Sequence, residues 1–197
     1  MDVQLHADCA APRQMTSEKE VGVYAELIRR CLKNDRRAQQ LVYQKVHGKM
    51  LALCLRFFQN RDDALAVMNR GMLKVFNNLK NYRPEAEFEG WVYRIIQRTA
   101  IDELRKQIRR QQHEIHPDDP EDGEVYPDAV SRLQAEDILA LTRKLPQATN
   151  AVFHLYVVEG YNHQEIADML GISSGTSKWH LSSARKTLKN LIVNLNV

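Results

Sequence analysis

Residues 113–128 constrain this chain more than any other segment. Pro117, Pro120, Gly123 and Pro127 stand there among carboxylates, with almost no apolar residue to bury. Proline lacks a backbone N–H and steers the residue before it away from the helical region, so no helix should cross the segment. With so little to bury, it builds no core of its own and reads as a linker. A domain boundary therefore falls here, and each flank must fold around its own core. The chain has 197 residues, 44% of them hydrophobic, which suffices for one large domain or two small ones.

Both flanks carry apolar residues every three or four positions and few alternating β-branched runs, the pattern of helices. Before the linker the spacing predicts helices over 23–32 and 38–58. A third follows Asn60-Arg61-Asp62, where Asn60 or Asp62 can cap the free N–H groups. Its Leu65, Met68, Met72, Val75 or Phe76, and Leu79 recur at helical spacing. Residues 81–87, with Pro84, break it, and a fourth helix runs from about 89 to 110. Beyond the linker, Pro146 suits a helix start, with Val152, Phe153, Tyr156 and Val157 as its apolar face. Gly160 ends that helix, and Asn162 or His163 caps a short one over 164–170 with Ile166, Ala167 and Leu170 inward. Gly171 supplies the left-handed residue of a tight turn and Ile172 fills the angle beside it. Ser173 or Ser174 then caps a last helix that continues to about residue 194. The expectation is an all-α protein: a polar extension over 1–20 without fixed structure, a helical domain over 21–110, a flexible acidic linker over 111–131, and a second helical domain over 132–197.

The net charge of +3 hides a pattern. Residues 1–110 carry 21 Lys/Arg against 13 Asp/Glu, residues 111–131 none against seven, and residues 132–197 seven against five. Two basic blocks flank an acidic one. Phosphate backbones attract the blocks and repel the middle, so nucleic acid is a candidate partner of the domains only.

Helix, short glycine turn, helix is the layout of a helix-turn-helix. At about 100° per residue, Leu181, Ala184, Leu188, Leu191, Ile192 and Leu195 cluster on one side of the last helix as its buried stripe. Lys178, Ser182, Arg185 and Lys189 form a second stripe, with Trp179 and Lys186 further round and facing outward. Long cations reach phosphates and guanine edges, and hydroxyls bond phosphate or bases, so this surface suits the major groove of DNA. A basic face that is merely solvated is the bland alternative. An outward Trp179 argues against it, since an exposed indole implies something that covers it.

Leu145-Pro146, Val152-Phe153-His154-Leu155-Tyr156, Glu159-Gly160-Tyr161, Glu165-Ile166-Ala167, Leu170-Gly171-Ile172 and Gly175-Thr176-Ser177-Lys178 together closely resemble region 4 of the sigma-70 family, and within it the small extracytoplasmic-function class. The resemblance covers about residues 138–192 and implies a domain that reads the −35 promoter element, which adds Thr176 to the candidate contacts. Residues 23–110 resemble region 2 of the same class. The strongest likeness is Phe88-Glu89-Gly90-Trp91-Val92, Arg94-Ile95-Ile96 and Thr99-Ala100-Ile101-Asp102-Glu103-Leu104-Arg105-Lys106. That helix places Arg94, Arg98, Arg105 and Arg109 in one stripe headed by Trp91, with Ile96, Ala100 and Leu104 on its other side. A cationic stripe led by aromatic rings suits single-stranded DNA, whose unpaired bases stack on rings for ~1–3 kcal/mol each. In the family this region melts and captures the −10 element, so Phe88, Trp91, Arg94, Arg98 and Arg105 are its candidate contacts. Burial of Phe88 and Trp91 in the domain core is the equal alternative, and a half-buried Trp91 is compatible with both.

Residues 62–79 resemble the helix that docks on the largest subunits of RNA polymerase, with Asp63, Asn69, Arg70 and Leu73 as candidate contacts. This segment departs from the family, which carries carboxylates in a pattern of the type Asp-x-x-Gln-Glu-x-Phe. Here Ala66, Asn69, Arg70, Gly71 and Met72 stand at those positions, and Arg70 inverts the local charge. The acidic linker fits a family in which the connection threads a basic channel of the polymerase, and it fits a solvated tether equally well.

The resemblance implies core RNA polymerase and promoter DNA as partners, an anti-sigma factor as a further one, a cytoplasmic protein, and no cofactor. No nucleophile–base pair, phosphate loop or metal cluster stands out, so there are no candidate catalytic or metal-binding residues. His113 and His116 sit near carboxylates, and solvated linker histidines are the commoner outcome. Cys9, Cys31 and Cys54 are too widely spaced for a zinc site and read as reduced thiols. Residues 1–20 hold no apolar run of signal-peptide type, and no run approaches the roughly eighteen residues of a membrane span. Two rivals stay open: a sigma-like DNA-binding regulator with weakened polymerase binding, and a helical module that binds only proteins.

Overall fold

The computed structural model describes residues 18–111 and 140–195, and among them there is helix but no strand. The acidic linker and most of the polar extension lie outside the described residues, as do His113, His116 and Cys9. The first helix, α1 (Glu18–Cys31), begins earlier than its apolar spacing indicates and ends one residue sooner. It stops where Asn34 takes a left-handed conformation, φ 59°. Asp35 then caps α2 (Arg36–Phe57) by accepting from the N–H groups of Arg37 and Ala38, while Arg30 holds its other oxygen at 2.8 Å. Of the two candidate caps of α3 (Arg61–Asn77), Asn60 serves, accepting from Asp62 N–H at 2.8 Å.

A 3-10 turn (Leu79–Asn81) and the Pro84 segment lead to α4 (Phe88–Gln111). Val42, Val46, Met50, Leu53 and Phe57 of α2, Val67, Met68 and Val75 of α3, and Val92, Ile96, Ala100 and Leu104 of α4 make the first core. Gly71 sets how closely α3 approaches α4: a Cβ there would lie 2.8 Å from Ile96 Cγ1. Cys31 and Cys54 are free and buried in this core, and burial pushes the Cys54 thiol up to about 12. An inert, protonated thiol results.

The second domain packs α5 (Gln147–Phe153) and α6 (His163–Leu170) against α7 (Ser174–Leu195). Between α5 and α6 the chain makes a π-helical turn, His154–Val158. A straight α-helix would carry Val157 inward with Phe153, as the spacing indicates. The wider turn shifts the phase, and Val157 is 52% exposed instead. Gly160, at φ 78°, ends this run as expected. The two domains touch, α5 against α2 and α6 against α4.

Candidate nucleic-acid interface

The turn between α6 and α7 is built from local hydrogen bonds. Asn162 caps α6 in a reciprocal box: its side-chain oxygen accepts from Glu165 N–H at 3.0 Å, and Glu165 accepts from Asn162 N–H at 2.8 Å. Gly171 closes the helix in the left-handed region, φ 70°, with its N–H on Ala167 O at 2.8 Å. Ser173 opens α7, its hydroxyl accepting from Thr176 N–H at 2.9 Å. Leu181, Ala184, Leu188 and Ile192 are buried as the spacing requires, and Leu191 is half-buried.

Polar anchors that the spacing did not single out complete the seating of α7. Ser177 is fully buried with its hydroxyl 3.0 Å from His163 Nδ1, and the His163 ring stacks on Tyr156 at 4.6 Å. His180 meets Thr149 Oγ1 through Nδ1 at 3.0 Å, and burial pushes its pKa down to about 4. The sequence offers His163 only as a candidate helix cap and gives no signal for His180.

With α7 fixed in this way, Lys178, Arg185, Lys186 and Lys189 are exposed, and Thr176 and Ser182 are half-buried beside them. Among the described residues no carboxylate pairs with Lys178, Arg185 or Lys186. Their field is felt nearby: burial first, then the charges of Lys178 and Arg185, lower the pKa of His163. Trp179 is not the exposed ring of the sequence reading. It is half-buried, its face meeting the His180 ring edge-on at 4.9 Å. The indole borders the cationic stripe and braces it as well.

On α4, Arg94 and Arg98 are exposed and follow one another along the helix. Phe88, a candidate contact, is only 3% exposed and belongs to the core. Tyr24 and Tyr82 enclose it at 4.9 and 5.2 Å, so its ring is not offered to a base. Trp91 is half-buried at the rim of the same cluster, 5.3 Å from Tyr82 and 6.0 Å from Phe88. Tyr24, Tyr82 and Phe88 of this cluster, with Leu79 and Pro84, line a cavity of about 570 Å³ of which Trp91 is not part. The Tyr82 hydroxyl donates to Ala86 O at 2.6 Å and holds the Pro84 loop in shape. Glu89 is held by Tyr24 at 2.7 Å and Lys49 at 2.6 Å. Burial alone would raise its pKa, and the two hydrogen bonds together with the charges of Lys49 and Lys45 outweigh that and keep it lowered.

Further along α4, Arg105, Lys106 and Arg109 border a cleft with Arg70 and Lys74 of α3. Arg105 is set apart from Arg94 and Arg98: it is half-buried against the Gly171 turn, with Nε enclosed and unpartnered. Asp63, Asn69, Arg70 and Leu73 all lie on the outer side of α3, and Leu73 is 62% exposed. Arg70 reaches Glu103 at 3.4 Å, Lys74 reaches Asp102 at 3.7 Å, and Asn69 accepts from the Tyr43 hydroxyl at 2.8 Å. No helix among the described residues is long and apolar enough to cross a membrane, and no cluster of three or more potential metal ligands occurs among them.

A cationic helix-turn-helix and a cationic, aromatic-headed helix thus stand on one connected core, and known families place both. Residues 42–110 match the family model Sigma-70 region 2, and residues 135–188 match Sigma-70, region 4. The ECF RNA polymerase sigma factor SigM of Mycobacterium tuberculosis is 28% identical over 175 residues, which cover 87% of this chain and 86% of the relative. The RNA polymerase sigma-H factor of Pseudomonas aeruginosa is 27% identical over 179 residues, 83% of this chain and 90% of its own. A solved structure of the sigma factor RpoE of Bartonella quintana, in complex with the anti-sigma factor NepR, covers 80% of this chain and 98% of its own at 16% identity and TM-score 0.43, too loose a likeness to carry weight. The chain belongs to the sigma-70 family, in its extracytoplasmic-function class. It is a transcription initiation factor whose partners are core RNA polymerase and promoter DNA. The family is a non-enzymatic class of transcription factor.

Proposed function

We propose that α7 reads the −35 duplex through Thr176, Lys178, Trp179, Ser182, Arg185, Lys186 and Lys189. The observation that carries this is the outward row of lysines and arginine, of which Lys178, Arg185 and Lys186 meet no carboxylate among the described residues. Lys178 and Arg185 sit nearest the turn, where a recognition helix enters the groove. Arg94 and Arg98 track the phosphates of the melted −10 strand, and Trp91 stacks on one of its bases. Phe88 acts on that strand through Trp91, by bracing the indole from the core side. Arg105 joins the stripe once the neighbouring turn has moved away.

Polymerase docking falls to Asp63, Asn69, Arg70 and Leu73 on α3, with Leu73 as the apolar centre. The Arg70–Glu103 pair supports this over a regulator with weakened polymerase binding, because the inverted charge already has a partner within the chain. The functional division is 21–110 for polymerase and −10 DNA, 111–131 as tether, and 132–197 for −35 DNA, with 1–20 as an extension. The protein acts in the cytoplasm, catalyses no reaction of its own, and an anti-sigma factor is its expected regulator.

Holoenzyme reconstituted from core polymerase and the full chain, titrated with salt on a promoter fragment, tests the −35 assignment. Lys178→Ala/Arg185→Ala should weaken binding and flatten the log–log salt slope by about one unit per lost phosphate contact. Wild-type affinity and slope in the double variant would remove α7 as the reader.

A further inference from the structure

Three histidines of the second domain each meet a hydroxyl, and His163 differs from the other two. Burial pushes His154 and His180 down to about 4, so both stay neutral in the folded chain well below pH 6. His163 opens α6 beside the cationic row of α7, half-buried, with Nδ1 3.0 Å from the Ser177 hydroxyl. Its Nε2 is not enclosed and has no hydrogen-bond partner among the described residues. Ser177 suits either state of the ring, because a hydroxyl can donate to a neutral Nδ1 or accept from a protonated one. Tyr156 stacks on the ring at 4.6 Å with the planes 23° apart, and an aromatic face favours a cation over it.

Two things oppose a charge on this ring: burial first, and then the charges of Lys178 and Arg185 on α7. The neighbouring carboxylates are engaged elsewhere. Glu165 is turned back to Asn162 N–H at 2.8 Å, and Asp168 accepts from Gln164 at 3.3 Å. Glu159, at the end of the π-helical turn, is held by Tyr93 at 2.6 Å, Gln97 at 3.0 Å and Arg56 at 3.2 Å. Phosphates drawn to Lys178 and Arg185 would cancel the repulsion and put negative charge in its place. When a helix-turn-helix docks, its first helix crosses the DNA backbone, which brings the start of α6 to the phosphates as well.

We propose that His163 is a proton-linked phosphate contact of the −35 reader, taking up a proton as the duplex is engaged. This rests on the assignment of α7 to −35 DNA given above. The bound state then holds more protons than the free one, so affinity rises as pH falls through the range in which the ring titrates. Wild-type, His163→Asn and His163→Arg chains, each assembled with core polymerase, are titrated with a labelled promoter fragment from pH 6 to pH 8 at constant ionic strength. Across that range His154 and His180 stay neutral, and any response of the polymerase itself is common to all three. His163→Asn keeps a polar group for Ser177 but cannot charge. Relative to it, wild type should gain about threefold or more in affinity between pH 8 and pH 6. His163→Arg carries a fixed charge and should hold a constant advantage over His163→Asn across the range. A wild-type profile parallel to that of His163→Asn overturns the proposal, since a purely structural histidine gives that result. A His163→Arg profile that follows the wild-type slope overturns it too. If one variant loses helicity by circular dichroism, the other decides. Undiminished affinity in a Lys178→Ala/Arg185→Ala holoenzyme would overturn the −35 reading and the proposal with it, whereas parallel profiles beside a weakened double variant sink the proton linkage alone.

Discussion

Among the described residues, His154 and His180 both have pKa values pushed down to about 4, and His154 is the more deeply buried of the two. It is 1% exposed, its Nε2 lies 3.1 Å from Thr142 Oγ1, and its Nδ1 has no hydrogen-bond partner. Burial, and then the charge of Arg56, push its pKa down to about 4. Above pH 6.5 the ring is neutral whether folded or not, so it adds no pH dependence there. Between 6.5 and 4 the unfolded chain takes up a proton that the folded chain refuses, and stability falls as pH falls. Below about 4 the loss levels off, at about 3 kcal/mol for this residue. His154→Gln retains a polar partner for Thr142 without titrating. In urea melts between pH 7.5 and 4.5 the variant should lose less stability than the wild type by about 2.5 kcal/mol, and parallel curves would refute the assignment. The histidine was legible in the sequence only as part of a family motif, because its burial depends on Phe57 and Arg56, far away in the chain. Phe88 had two open readings for the same reason: Tyr24 and Tyr82, which enclose it, are not its helical neighbours.

Among elements, α3 tests how far family expectation carries. Its inner side follows its apolar spacing, with Val67, Met68, Met72 and Val75 buried, and Gly71 allows the close approach to Ile96. Its outer side lacks the expected carboxylates, and Arg70 and Lys74 are met by Glu103 and Asp102 of α4. On the proposed docking face that leaves the exposed Leu73 as the apolar feature. Leu73→Asp should keep the circular dichroism of the wild type and lose core polymerase in co-elution. A hot-spot cost of about 2 kcal/mol corresponds to roughly thirtyfold in affinity. Undiminished co-elution would move the docking surface elsewhere. Elements of regular period were legible throughout, because a 3.6-residue repeat and a cap residue are local signals. The π-helical turn was not. Period counting assumes i to i−4 bonding, and the wider turn put Val157 outside where counting put it in. Trp179 was misplaced more mildly, since its angle on α7 was right and its cover comes from His180.

At the scale of the whole molecule, the proline-rich acidic segment lies in the stretch between the two family matches, 42–110 and 135–188, and outside the described residues. The join between the domains was not legible in the sequence. Glu159 is one acid at the end of a helical run, and its donors at 56, 93 and 97 are distant in sequence and ordinary in type. The central claim remains that one chain carries two DNA-reading surfaces, α4 and α7, and delivers polymerase to promoters through both. Mapping transcription start sites after overexpression of the full chain, beside Lys178→Ala/Arg185→Ala, tests it most directly. The account predicts a set of wild-type starts that share two sequence elements near −35 and −10, and loss of that set in the double variant. Starts with no shared pair of elements, or a set that persists unchanged in the double variant, would contradict it.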